Sequence, residues 1–154
     1  MLLYLVQHAE ASPAEEDPTK DLSPKGRLDI EDVAHHLKRL NLQVQQIFHS
    51  GKTRAQTTAR ILGLHIHPPG GITATDGLAP LDDPGIWKSR LAAMDEDLLL
   101  VGHLPHLGKL AGLLIAGDQE KSVVNFKMGG AVRLRRMAPD QWAVDWMITP
   151  EVIL

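Results

Sequence analysis

With 154 residues, 44% of them apolar and 23% charged, the chain has the length expected of one domain with a full core and the composition of a soluble globular protein. It has no cysteine and a formal net charge of −3 with dispersed Lys and Arg, which excludes disulfides, thiolate zinc sites and a cysteine nucleophile and leaves no electrostatic footprint for nucleic acid. No apolar run approaches the roughly 18 residues of a membrane helix and no basic leader precedes an apolar segment, so the expected location is the cytoplasm.

The chain opens on Leu2-Leu3-Tyr4-Leu5-Val6, apolar and without alternation, the pattern of a buried strand in a parallel sheet. It stops at Gln7-His8, which delivers His8 to the strand's carboxyl end, the edge where open α/β sheets bind ligands. Residues 9–21 are polar, with Pro13, Pro18 and the acidic group Glu15, Glu16 and Asp17, and read as a loop on that edge. Ser23-Pro24 supplies an N-cap followed by proline at the first helical position, and the spacing of Leu28, Val33, Leu37 and Leu40 predicts a helix over 24–40.

A second strand is expected over 44–49, followed by the Ser50-Gly51 turn and a helix holding Arg54, Ala55, Thr58, Ile61 and Leu62 that closes near Gly63. Arg54 then sits in a helix's first turn, where free backbone N–H groups and a guanidinium together favour phosphate. Residues 65–71 read as a loop, 72–74 as a short strand leading to Asp76, and 84–94 as a short helix. Residues 97–101 form another apolar strand ending in Gly102-His103, and Leu104-Pro105-His106 opens a helix bearing Leu107, Leu110, Leu113 and Leu114 that ends at Gly117. Alternation over 131–137 and 142–148 around Pro139-Asp140 predicts an antiparallel hairpin on the sheet edge. The expected fold is a three-layer α/β/α domain covering 1–154, with a mostly parallel sheet and an antiparallel edge.

Three strand ends thus offer His8, Arg54 and His103 to one edge of one sheet. An imidazole nucleophile, an arginine at a helix N-terminus and a second imidazole are what phosphoryl transfer through a covalent phosphohistidine needs.

The motifs around these residues resemble those of the histidine phosphatase superfamily, the phosphoglycerate mutase-like group, and within it the small phosphohistidine phosphatases of the SixA type. The pattern L-x-L-V-R-H-G-E-A is matched by Leu3 to Ala11, and L-T-x-x-G by Leu22-Ser23-Pro24-Lys25-Gly26. S-x-x-x-R-A-x-Q-T-A is matched by Ser50 to Ala59, with Thr57 where glutamine is usual, and V-G-H-x-P-x-L by Val101 to Leu107. The resemblance implies a metal-independent, cofactor-free phosphatase in which His8 accepts the phosphoryl group while Arg54 and His103 bind its oxygens. The implied partner is a protein phosphohistidine or a small phosphoester, and the alternative is a phosphate- or phosphoprotein-binding module whose catalysis has weakened.

This sequence departs from the pattern beside the nucleophile, with Gln7 for arginine and Ala9 for glycine. Losing a charge-assisted hydrogen bond costs about 1.5–3 kcal/mol, hence roughly tenfold to a hundredfold in rate if the bond acts in the transition state. Lys52, two residues before Arg54, is the candidate replacement cation, and Ala9 fits only where φ is negative. Relatives that use a glutamate acid after the third strand leave Asp76, Asp82 and Asp83 as counterparts, with Asp76 the choice nearest the strand end.

Other signals carry less. Gly51-Lys52-Thr53 lacks the upstream glycine of a P-loop, Gln46 standing in its place. His65-x-His67 and His103-x-x-His106 lack the carboxylates of a binuclear centre and read as a loop pair and a helix-start pair, His35-His36 as surface residues, and Trp142 and Trp146 as packing residues.

Overall fold

The opening strand lies inside the sheet that organises the molecule. A computed structural model describes residues 1–153. In chain order the elements are β1 (Leu2–Gln7), α1 (Pro24–Arg39), β2 (Gln46–His49), α2 (Thr53–Ile66), β3 (Ile72–Ala74), α3 (Pro84–Ala92), β4 (Leu98–Gly102), α4 (His106–Ala116), β5 (Ala131–Ala138) and β6 (Gln141–Ile148), with a short 3₁₀ turn at Pro150–Val152. The six strands form one sheet in the order β3-β2-β4-β1-β5-β6. The first four are mutually parallel, whereas β5 runs antiparallel to β1 and β6 antiparallel to β5.

Strand alternation divides the core into two. Tyr4 and Val6 of β1 pack with Ile30, Val33, Ala34 and Leu37 of α1 and Ala55, Ala59 and Leu62 of α2. Leu3 and Leu5 face the other way, onto Trp87 and Leu91 of α3 and Leu107 and Leu110 of α4. Because side chains on a strand point alternately to opposite faces, an uninterrupted apolar run is what a strand covered on both sides requires. The result is three layers, α/β/α, as expected. Among the described residues no helix is long and apolar enough to cross a membrane.

Three local expectations are corrected. The buried stripe of α1 is Gly26, Ile30, Val33, Ala34 and Leu37, while Leu28 and Leu40 are 69% and 51% exposed. The helix α2 does not close at Gly63 but runs on to Ile66 and ends on His67 in the left-handed conformation. Gly63 is instead a packing glycine, since a Cβ there would collide with the Ile72 side chain. His65 consequently belongs to a helix rather than a loop. The hairpin lies on the sheet edge as expected: β5 pairs with β1 along Leu2↔Arg135 to Val6↔Ala131, and β6 is the outermost strand. Trp142 is buried in the second core and Trp146 packs 6.0 Å from Tyr4, both as packing residues.

Candidate active site

Parallel pairing brings three strand ends to one place. Gln7 is in register with Gly102 and His49 with Val101, so β1, β2 and β4 all finish on the same edge. The next residues are His8, Ser50 and His103. The His8 N–H donates to the Gly102 carbonyl at 3.0 Å, and the His8 and His103 rings lie 5.0 Å apart at 49°. Gly51, with φ of 88°, turns the chain from β2 into α2, a conformation that favours glycine. This places Lys52 at the helix N-cap and Arg54 in its first turn. The charge of Arg54 is felt by both histidines, and that of Lys52 by His103. His8, Arg54, His103 and Lys52 are thus brought together.

Hydrogen bonds fix the protonation of His8. Its Nδ1 lies 2.7 Å from the Ala9 carbonyl oxygen, and since a carbonyl only accepts, the proton is on Nδ1 and the lone pair on Nε2. Burial lowers the His8 pKa, the Ala9 bond raises it in part, and the Arg54 charge lowers it again. His103, 1% exposed, is pushed down to about 3, by burial first and then by His8, Arg54, Lys52 and His106. Both imidazoles are therefore neutral near pH 7. An anion on this edge would offset the cationic terms and make His103 easier to protonate.

Serine and threonine side chains hold the arrangement. Ser50 Oγ lies 2.7 Å from His103 Nε2 and accepts from the Lys52 backbone N–H at 3.3 Å. Thr58 Oγ1 donates to the Arg54 carbonyl at 2.8 Å and accepts from the Ala9 N–H at 3.0 Å, tying the loop after β1 to α2. The Gly129 N–H donates to the Gln7 carbonyl at 2.9 Å, with a longer contact to that of His8. Ser50 could be found in the sequence as the first residue of its motif. Thr58 is the threonine of the same motif, but its bond to Ala9, 49 positions away, is not marked by any local pattern.

The two departures behave differently. Ala9 is buried and has no positive φ, so the condition for an alanine there is met. Gln7 is 9% exposed, and its Oε1 is buried with no hydrogen-bond partner among the described residues. A half-turn of the amide would exchange that acceptor for a donor, which is the orientation an oxyanion needs. His103 Nδ1 is likewise buried without a partner. Lys52 is exposed.

Asp76 is paired with an arginine. Its side chain is 81% exposed and its Oδ1 accepts from Arg90 Nη2 at 2.6 Å. That bond and the Arg90 charge lower the Asp76 pKa, holding the carboxylate ionised where an acid must retain its proton. Two clefts of about 500 Å³ have neither His8 nor His103 in their lining, one bounded by Gln45, Ile66 and Asp97, the other by Lys88, Arg136 and Trp142.

The model of the histidine phosphatase superfamily (branch 1) matches residues 3–95, a span that includes His8 and Arg54 and stops before His103. The chain is 36% identical over 145 residues to an uncharacterized protein of Picosynechococcus sp., covering 88% of this chain and 85% of that one. It is 24% identical over 123 residues to the phosphohistidine phosphatase SixA of Escherichia coli (strain K12), covering 77% and 76%. Among solved structures, that of the protein histidine phosphatase SixA complexed with tungstate is similar with a TM-score of 0.87 and 21% identity over 97% of each chain.

Proposed function

The chain belongs to the histidine phosphatase superfamily, branch 1, and from that premise we propose that its carboxyl-edge site removes phosphoryl groups through a covalent phosphohistidine on His8, with protein phosphohistidine as the substrate. The observation that carries this reading is the Nδ1 proton of His8, committed to the Ala9 carbonyl, which leaves Nε2 unprotonated beside His103. His8 Nε2 attacks phosphorus, an N–P bond forms, and the bond from phosphorus to the substrate nitrogen breaks with its electron pair going to the leaving imidazole. Water then attacks phosphorus, the bond to His8 breaks, and inorganic phosphate leaves as His8 is regenerated. Arg54, at the positive end of α2, meets the charge on the equatorial oxygens together with His103 and Lys52.

The choice of substrate rests on the acid. A phosphoramidate can be protonated on nitrogen before cleavage, so its leaving group needs less help than an alkoxide, and Asp76 in its pairing with Arg90 gives little. The short connection from β3 to α3, residues 75–83, also leaves the edge open to a histidine displayed on another protein. The similarity to phosphohistidine phosphatase SixA of Escherichia coli agrees with this substrate.

A second reading, a binding module with weakened catalysis, is favoured by Gln7, whose buried amide cannot supply the charge of an arginine. Rapid quench with radiolabelled phosphohistidine protein separates the two. Turnover predicts acid-labile, base-stable label on the protein that decays at the rate of phosphate release and is absent in His8→Ala. Tight binding with no label on the protein at any time would establish the module instead.

A further inference from the structure

Away from the phosphate edge, α1 and α2 bring three metal-ligating side chains together. Glu31 and His35 stand four residues apart on α1, hence one above the other on the same face, and His65 meets them from the last turn of α2. His65 Nε2 lies 3.1 Å from Glu31 Oε2, and the His35 and His65 rings are 4.5 Å apart at 57°. One ligand atom from each of the three lies within 4.8 Å of the other two. We propose that Glu31, His35 and His65 bind a borderline divalent ion of the Zn²⁺ class, which staples α1 to α2.

The donor set fits that ion. Two imidazoles and one carboxylate are a zinc triad that leaves a further position for water, and with bonds of about 2.0–2.2 Å the donors stand roughly 3.3–3.6 Å apart. The Glu31–His65 pair is already near that separation, and the exposed His35 closes the remainder by a rotamer change. On binding, the ion takes the place of the proton between His65 Nε2 and Glu31 Oε2, and that proton leaves to solvent. A plain hydrogen bond accounts for two members of the group but not for His35, whose side chain makes no hydrogen bond among the described residues. The backbone beneath is held by Ile30, Val33, Ala34 and Leu37 of α1, packed in one core with Ala59, Ile61 and Leu62 of α2. Arg39, one turn along α1 from His35, turns its guanidinium to His36 at 3.4 Å. His65 is eleven residues along α2 from Arg54, about 16 Å at 1.5 Å per residue, so the ion would act on stability and not on the phosphoryl group.

The test uses the full chain without a histidine tag, stripped with chelator and titrated with Zn²⁺ by calorimetry and thermal unfolding. One equivalent should bind, and free Zn²⁺ at about a hundredfold its Kd should raise Tm by about 5–10 °C. His35→Ala and His65→Ala should each weaken binding by at least about tenfold, while His36→Ala and His67→Ala leave it unchanged. Glu31→Gln can keep a hydrogen bond to His65 but loses the anionic ligand, so its metal-free Tm should match the natural protein while the Zn²⁺ increment shrinks. Circular dichroism of each metal-free variant identifies any that fails to fold. Zn²⁺ uptake that survives both His35→Ala and His65→Ala, or no uptake at micromolar free ion, overturns the assignment.

Discussion

His103→Gln tests the charge state of the site through folding stability. The folded pKa of His103 lies near 3 against an ordinary 6.5. A histidine depressed in this way leaves stability fully present above about pH 6.5 and withdraws it as pH falls toward 3, because the unfolded chain takes up the proton that the folded chain refuses. Between pH 7 and pH 5 the unfolded His103 goes from mostly neutral to almost fully charged while the folded one stays neutral. That single group then removes about 2 kcal/mol, or about 4–8 °C in Tm for a chain of this size. Glutamine keeps a polar partner for Ser50 and does not titrate. Urea unfolding at both pH values, in buffers free of oxyanions, should show the natural protein losing about 2 kcal/mol more than His103→Gln. Adding sulfate should shrink the difference, since an anion on the edge offsets the charges of Arg54 and Lys52 that help to hold the His103 pKa down. Parallel losses in the two proteins would refute the buried, cation-flanked histidine, whatever the effect on catalysis.

Two further outcomes follow from the side chains around the histidines. Gln7→Arg should raise kcat/KM on phosphohistidine protein by about tenfold or more, because a guanidinium pairs best with oxygens gaining charge in the transition state; if Lys52 already supplies that charge, the gain is small and Lys52→Ala costs the natural protein more than it costs the variant. An unchanged rate in both Gln7→Arg and Lys52→Ala, measured by phosphate release, would show a pocket rebuilt for another ligand. Asp76→Asn should leave phosphohistidine turnover within about twofold, and a loss of a hundredfold with disappearance of one limb of the pH–rate profile would restore Asp76 as the acid.

The layers and the histidine edge were legible because they depend on local rules that agree with the tertiary structure. Unbroken apolar runs at Leu2 to Val6 and Leu98 to Val101 need cover on both faces, and a parallel sheet then puts His8 and His103 at one edge without further information. What local rules leave out depends on close contacts between distant segments. Gly63 looks like a helix end because glycine favours such ends, but it is glycine because Ile72 packs where a Cβ would stand. Leu28 and Leu40 have helical spacing, yet the sheet selects the stripe through Ile30 and Leu37. Asp76 does lie just past a strand end, but an arginine 14 residues later captures its carboxylate. His65 follows Gly63, where local rules end the helix, yet α2 runs on and returns it against Glu31 and His35.

Gln7 also bears on what the free protein must tolerate. Arg54 is half-buried, burial lowers its pKa, and among the described residues no carboxylate pairs with it. Its charge is thus carried at a folding cost until an anion arrives, and the neutral state of His103 is part of the same accommodation. An arginine at position 7, where the present side chain is 9% exposed, would add a second buried charge next to His8. Gln7→Arg should therefore be less stable than the natural protein without oxyanion and recover more stability when one binds, the pattern of a site that trades stability for binding power. Sulfate titrations of Tm on the two proteins measure this directly. Equal stability without the anion would place the new guanidinium in solvent, and any gain in rate would then need a cause other than charge restored to the pocket.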